Sequence, residues 1–245
     1  QRTDAWGGSL ENRARIHLEI IKKCREEVGT DFAISIKMNS ADFQKGGFSP
    51  EDSIQVAKLF SDSGIDNIEI SGGTYEQPRL LGLDKVSINP KRSENRKEST
   101  IAREAYFLSY AEEIAKVVNI PLMVTGGFRT KEGMEAALAD GACEIVGVGR
   151  PLCANPYAIK ELLAGQIDEL PKYEKTLSIG PWWLSPTSPF RLIQAINAFS
   201  AQAWFYQQIK KMGKGLMPDL TLKPWKAFRE DAKADQEAIK EYQNF

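Results

Sequence analysis

Residues 120–151 read IPLMVTGGFRTKEGMEAALADGACEIVGVGRP and contain two short apolar runs that each end in glycine. The first run, residues 121–125, leads into Gly126-Gly127, and the second, residues 144–148, leads into Gly149-Arg150. The intervening residues favour a helix. This stretch therefore predicts a strand, a helix and a second strand, which is the repeating unit of an α/β protein.

The same unit occurs twice upstream. Apolar runs at residues 32–38 and 65–70 predict two further strands, which we expect to be short and buried on both faces. The predicted helices span residues 10–28, 50–63, 101–118, 131–139 and 155–164. Four strand–helix units in succession predict a parallel sheet covered by helices. A barrel and a doubly wound sheet both fit this pattern, and both place ligand sites just after the strands.

The chain changes character near residue 170. An aromatic, proline-rich linker at residues 181–189 precedes predicted helices at 190–212 and 225–241. We therefore predict two domains, residues 1–168 and a helical C-terminal extension at 169–245. The apolar face of the extension favours packing against the barrel or a partner subunit over a membrane or cofactor role, because polar residues interrupt it.

The glycine turns after the last two strands favour a phosphate site. Glycine lets backbone N–H groups approach a ligand closely, and an arginine can bind two phosphate oxygens at once. The candidate residues are Gly126, Gly127, Gly149 and Arg150. The alternative is that these glycines only form turns. Residues 147–149 do not match the dinucleotide-binding pattern, because the third glycine is missing and Arg150-Pro151 stands where a helix should open.

Lys37 is a second candidate, since it lies at the end of the otherwise apolar run 32–38 that we predict to be a strand. A buried ammonium needs a partner, so we expect one beside it, such as an anionic ligand. The alternative is a lysine that simply reaches solvent.

Composition excludes several classes of function. The 32 Lys+Arg and 33 Asp+Glu give a net charge of -1, so there is no basic field for nucleic acid or for an anionic membrane. No apolar run approaches the roughly 20 residues that cross a bilayer. The three cysteines are widely spaced and predict a reducing, cytoplasmic compartment. The single histidine, His17, lies in a helical pattern, and no hydrolytic or metal-binding motif is present, so chemistry from a bound cofactor fits best.

The opening stretch, Asp4 to Arg13 (DAWGGSLENR), resembles the signature of the old yellow enzyme family of NADH:flavin oxidoreductases. Four further segments are similar to that family and occur in its order. They are residues 36–43 (IKMNSADF), 70–76 (ISGGTYE), 124–129 (VTGGFR) and 148–152 (VGRPL). The resemblance covers about residues 1–165.

The resemblance implies a (β/α)8 TIM barrel of which this chain holds strands five to eight. It implies FMN as cofactor, with Gly126, Gly127, Gly149 and Arg150 at its phosphate. Lys37 would lie by the flavin pyrimidine edge, where many relatives have arginine. Tyr75 would line the substrate mouth, while Asn12 and Arg13 would have structural roles at a helix start.

The implied reaction carries hydride from NADH or NADPH through FMN to an activated alkene, such as an enone. The residues that polarise and protonate the alkene lie upstream of the signature in this family, so we expect them upstream of Gln1 and expect the chain to be a fragment. Two alternatives stay open: a flavin-free barrel enzyme with a phosphorylated substrate, and a non-catalytic half-barrel. Unpaired sheet edges favour association, either as a homo-oligomer or with a complementary half.

Overall fold

The computed structural model describes residues 2–42, 46–72 and 107–243. In chain order, the helices and strands of the described residues are α1 Leu10–Val28, β1 Ser35–Asn39, α2 Pro50–Asp62, β2 Asn67–Ser71, α3 Leu108–Ala115, β3 Leu122–Thr125, α4 Lys131–Ala139, β4 Ile145–Gly147, α5 Arg150–Ala154, α6 Ala158–Leu163, α7 Arg191–Met212 and α8 Pro224–Gln243. These residues form two compact units, the first ending at Val148 and the second beginning at Gly149.

The first unit is built on a four-stranded parallel sheet in the order β1-β2-β3-β4. Each strand pairs with the next one along the chain. A doubly wound sheet instead reverses its strand order at a switch point. The order of the described strands therefore favours a barrel-type sheet over the doubly wound alternative.

Helices cover one face of this sheet. The strand residues on that face are apolar, and Ile68, Ile70 and Val124 are completely buried in the same core as Phe60 and Leu108 from the helices. Burying such side chains stabilises the fold by about 1.5–3 kcal/mol each. The core of the first unit therefore lies between the sheet and its helices.

The opposite face of the sheet is polar, and here the sequence-based expectation was wrong. We expected apolar strands buried on both faces, but β1 and β2 alternate between apolar and polar residues, reading SIKMN and NIEIS. Because successive side chains of a strand point to opposite faces, Lys37 and Glu69 lie together on the polar face. The alternation is visible in the sequence, but each run also contains enough isoleucine and methionine to suggest a continuous apolar strand.

Capping residues account for the well-predicted helix boundaries. The hydroxyl oxygens of Ser9, Ser49 and Thr130 accept backbone N–H groups in the first turns of α1, α2 and α4. The chain leaves α1 through Gly29, whose φ of 73° favours glycine. The predicted bounds of α1 and α4 match the observed ones.

The second unit begins with a helix that the sequence analysis missed. We took Arg150-Pro151 as a place where no helix opens, but α5 begins at Arg150. Proline is well tolerated in the first turn of a helix, where its missing N–H has no partner to lose. The objection to a dinucleotide site therefore rests on the missing third glycine alone. The single helix expected at 155–164 is shorter, spanning Ala158–Leu163.

The helices α7 and α8 of the second unit pack against each other, a contact that the sequence analysis did not predict. Their core contains Trp204 of α7 and Ala227 of α8. Gln208 holds the segment between the two helices, and its side chain is fully buried. Its Nε2 donates a hydrogen bond to the carbonyl oxygen of Asp219, and its Oε1 accepts one from the backbone N–H of the same residue. The second unit thus has a core of its own, which also includes Ala154 of α5, and the boundary at residue 168 stays a prediction.

Among the described helices, none is both long enough and apolar enough to cross a membrane.

Candidate functional site

The turn after β3 is shaped by two successive glycines. Gly126 has a φ of 129° and Gly127 a φ of 92°, both in the region that residues with a Cβ rarely adopt. They follow Thr125, the last residue of β3, at the carboxyl end of the parallel sheet. In α/β proteins this end of the sheet carries the ligand sites. At this turn neither glycine has a side chain of its own that would keep a ligand from the backbone N–H groups.

The side chain of Thr125 in β3 occupies the space beside Gly147 of the neighbouring strand β4. Gly147 pairs with Thr125 in register, and a Cβ on Gly147 would lie 1.8 Å from the Thr125 Oγ1. That hydroxyl oxygen is buried and has no hydrogen-bond partner among the described residues. A buried hydroxyl without a partner costs about 1–3 kcal/mol, so it favours a ligand or an ordered water beside it. Together, Thr125 and the glycine turn fit an anionic group of a cofactor.

Arg129 is a residue that the sequence-based site prediction left out. Its side chain is only 6% exposed, and its Nη1 donates a hydrogen bond of 2.7 Å to the carbonyl oxygen of Phe128. A buried guanidinium two residues beyond the glycine turn adds positive charge there. Arg129 is visible in the sequence as the last residue of the TGGFR segment, but the sequence analysis assigned the phosphate site only to the two glycines of that segment.

Gly149 and Arg150 belong to the second unit. Gly149 is the N-cap residue of α5, and a Cβ placed on it would meet no atom within 4 Å. Arg150 is half-buried and opens the helix. Burial raises the pKa of the Cys153 thiol, and the positive charge of Arg150 partly opposes this. Gly149 is thus a turn residue at which the described contacts impose no steric requirement for glycine.

Lys37 has a carboxylate partner, although its side chain is not buried as the sequence analysis assumed. Its Nζ lies 2.6 Å from Oε1 of Glu69, the residue beside it in register on β2. The Lys37 side chain is 56% exposed and that of Glu69 is 19% exposed. The neighbouring pair Ser35 and Asn67 also bonds across the two strands, at 2.8 Å. The polar face of the sheet is therefore tied together by cross-strand hydrogen bonds.

The sequence analysis also named Tyr75, Asn12 and His17. Tyr75 lies outside the described residues. Asn12 has the structural role expected of it, since its Nδ2 donates to the carbonyl oxygen of Gly7 and joins the opening loop to α1. His17 lies on α1 with its ring 5.9 Å from that of Phe60. Within the described part of the chain, no group of three or more His, Cys, Asp or Glu residues could hold a metal ion.

A parallel sheet with its strands in chain order and glycine turns at its carboxyl edge defines an α/β protein whose strand order fits part of a (β/α) barrel. A sequence model of the NADH:flavin oxidoreductase / NADH oxidase family matches residues 1–169. The chain belongs to this family of flavin-dependent oxidoreductases, whose members include enzymes of old yellow enzyme type.

Two curated relatives illustrate the similarity. The chain is 40% identical over 168 residues to the NADH-dependent flavin oxidoreductase iliE of Hypocrea jecorina (strain QM6a), covering 66% of this chain and 39% of that protein. It is 33% identical over 218 residues to the NADH-dependent flavin oxidoreductase iccE of Talaromyces variabilis, covering 87% of this chain and 50% of the relative. Since the family match ends at residue 169, the second alignment also includes part of the helical extension.

A solved structure of 2-naphthoyl-CoA reductase with 2-naphthoyl-CoA is also similar. It is 31% identical with a TM-score of 0.56, and the match covers 69% of this chain and 24% of that one. The chain thus spans half or less of the length of each of these three proteins.

Proposed function

We propose that this chain supplies the FMN-phosphate half of a (β/α)8-barrel oxidoreductase that transfers hydride from NADH or NADPH, through FMN, to an activated alkene of the enone type. Family membership supports a flavin enzyme over a flavin-free enzyme with a phosphorylated substrate. The two curated relatives are NADH-dependent flavin oxidoreductases, which favours NADH as the reductant.

The observation that carries this proposal is the glycine turn after β3. Gly126 and Gly127 have positive φ values at the carboxyl end of the sheet, and neither has a side chain of its own that would keep a ligand from its backbone N–H group. In the proposed site their N–H groups bind the FMN phosphate, while Gly149 and Arg150 complete it. Arginine binds phosphate in a bidentate manner, and a hydrogen bond to a charged group contributes about 1.5–3 kcal/mol.

Lys37 is proposed to lie at the pyrimidine edge of the flavin. Bound FMN supplies the hydride chemistry, accepting two electrons and a proton from the nicotinamide and passing them to the alkene. The ammonium of Lys37 would hold negative charge at the N1 and O2 atoms, a role in which preorganised charges lower barriers. Tyr75 is proposed to line the substrate mouth.

The rest of the barrel is proposed to come from a segment upstream of Gln1, which would also carry the groups that polarise and protonate the alkene. The chain's coverage of 39% and 50% of its two relatives supports this view. The free thiols of Cys24, Cys143 and Cys153 suit a cytoplasmic location. The outer strands β1 and β4, each paired on one side only among the described strands, favour association with a complementary half or another subunit.

The test is to purify the complete protein that carries this chain and record its flavin absorbance before and after FMN is added. We expect bound FMN that NADH bleaches under anaerobic conditions and that an enone such as 2-cyclohexenone reoxidises. A protein that takes up no FMN would overturn the proposal. A protein that binds FMN but leaves the enone unreduced would retain the cofactor assignment and reject the alkene as substrate.

A further inference from the structure

The strand residues on the polar face of the sheet include a single ion pair. This face carries Ser35, Lys37, Asn39, Asn67, Glu69, Ser71, Met123, Thr125, Ile145 and Gly147. Among these residues, all of which the structure describes, Lys37 is the one cation and Glu69 is the one anion. Their charged atoms are 2.6 Å apart, which is short enough for a charge-assisted hydrogen bond.

The two partners differ in exposure, and the difference assigns them different roles. Glu69 is 19% exposed and has Lys37 on one side in register and Met123 on the other. Lys37 is 56% exposed, so its ammonium can bind the carboxylate and still reach a ligand on the same face. A lysine side chain otherwise samples many rotamers, and ordering it costs up to about 2 kcal/mol. Glu69 therefore holds the ammonium in place before a ligand arrives.

We propose that Glu69 is a positioning residue that fixes Lys37 beside the flavin and offsets its charge, and thereby keeps the reduction potential of bound FMN low. The proposal rests on the proposed function, because it places Lys37 at the flavin. Hydride transfer from NADH oxidises the nicotinamide to NAD⁺ and adds two electrons and one proton to FMN. The reduced cofactor consequently carries one more negative charge than the oxidised one.

A lone cation at this position would favour the reduced cofactor strongly. The Lys37–Glu69 pair has no net charge, so it favours the reduced form much less. A low potential suits a flavin that must return hydride to an alkene, since an overstabilised reduced flavin would be a poor donor. The carboxylate of Glu69 thus makes the reduction of FMN by NADH less favourable and the transfer of hydride from reduced FMN to the alkene more favourable.

The experiment compares Glu69→Gln with the parent in the complete FMN-loaded protein. Glutamine keeps the size of the side chain and its ability to accept a hydrogen bond, but it removes the charge. We expect the affinity ratio of reduced to oxidised FMN to rise about tenfold, which for a two-electron couple makes the potential about 30 mV more positive. The potential is measured by anaerobic titration against a reference dye, with FMN dissociation constants measured in parallel.

Three further variants separate this role from a structural one. Glu69→Asp retains the charge and should keep the potential close to that of the parent. Lys37→Met should shift the potential in the negative direction. Asp62→Asn removes a carboxylate from an exposed ion pair on α2, a helix on the opposite face of the sheet, and should leave the potential unchanged.

The outcomes distinguish this inference from the function on which it rests. A parent protein that binds no FMN overturns both. A parent that binds FMN while Glu69→Gln leaves the potential unchanged, or makes it more negative, overturns the role of Glu69 and leaves the flavin assignment standing. A change in thermal stability without a change in potential would show that the ion pair only supports the sheet, and would also overturn the inference.

Discussion

Thr125 and Gly147 face each other across β3 and β4 so closely that no side chain larger than hydrogen fits at residue 147. A Cβ there would lie 1.8 Å from the Thr125 Oγ1 and 2.7 Å from the Met123 Cε. The side chains of β3 therefore require glycine at residue 147 of β4. This contact fixes the strand end from which Gly126 and Gly127 project.

Gly147→Ala is accordingly expected to destabilise the protein. The Thr125 side chain or the β4 backbone must move, and overpacking of this kind costs about 1–3 kcal/mol. Gly149→Ala is the matched control, because a Cβ at residue 149 meets nothing within 4 Å and should change stability by less than about 0.5 kcal/mol. Urea unfolding followed by circular dichroism measures both. Equal stability of the two variants would contradict the packing argument.

The sequence alone predicted the ends of the capped helices better than the ends of the strands, for a physical reason. Helix ends have local signals, such as Ser9 and Ser49 as N-caps and Gly29 at a C-terminus, and these signals are used in the structure. The first strand was predicted from residue 32 but begins at Ser35, since only the sheet neighbour decides where pairing starts. Local side-chain chemistry therefore predicted where helices and strands occur, whereas pairing with the neighbouring strand determined where each strand begins and ends.

The candidate site was predictable in part. Glycines that end strands are visible in the sequence, and Gly126 and Gly127 adopt the backbone that their type allows. The partnership of Lys37 with Glu69 was not predictable, because register between residues 32 positions apart depends on the whole sheet. The phosphate-binding roles of Gly126, Gly127, Gly149 and Arg150 stay predictions.

Arg150→Ala is expected to weaken FMN binding if the proposed phosphate site is right. Losing a guanidinium–phosphate contact of about 1.5–3 kcal/mol corresponds to a roughly tenfold to hundredfold increase in the FMN dissociation constant. Arg150→Lys should recover part of the affinity, since lysine keeps the charge without the planar fork. The quenching of flavin fluorescence upon binding to apoprotein measures the constant.

Arg191→Ala provides the control for Arg150. Arg191 is likewise the first residue of a helix in the second unit, and its side chain is exposed. We expect its replacement to leave FMN affinity unchanged. Unaltered affinity in Arg150→Ala as well would refute the phosphate assignment.

Asp219 is expected to make the second unit sensitive to acid. Hydrogen bonds from Thr221, with the ammonium of Lys211 next in effect, lower the pKa of this carboxyl from its usual 3.8 to about 2. A lowered pKa in the folded state means that the ionised form stabilises the fold, so this contribution is complete above pH 4 and disappears as the pH falls towards 2.

Asp219→Asn should therefore lose less stability than the parent between pH 4 and pH 2, the interval between its usual and its lowered pKa. Thr221→Val should have a similar but smaller effect, because it removes the hydroxyl donor, which bonds Asp219 at 2.7 Å. Urea midpoints measured at several pH values across this interval give the comparison. Parallel pH profiles for the parent and Asp219→Asn would show that this carboxylate makes no such contribution.

Trp204 is expected to be the main stabilising side chain of the helical extension. It is 1% exposed, and its Nε1 donates a hydrogen bond of 2.9 Å to the carbonyl oxygen of Leu222 in the segment before α8. Its ring lies 5.7 Å from that of Tyr173 and 5.1 Å from that of Phe205. The side chain thus joins three parts of the second unit.

Trp204→Phe should lower the free energy of unfolding by about 2–4 kcal/mol, because it leaves a cavity and removes the donor for the Leu222 carbonyl. The same substitution at Trp182, whose side chain is 87% exposed, is the matched control and should change the free energy by less than about 0.5 kcal/mol. Urea unfolding followed by circular dichroism at the helix band measures both variants. If the two substitutions have equal effects, the extension is not held by the core around Trp204, and its helices must be stabilised by contacts outside that core.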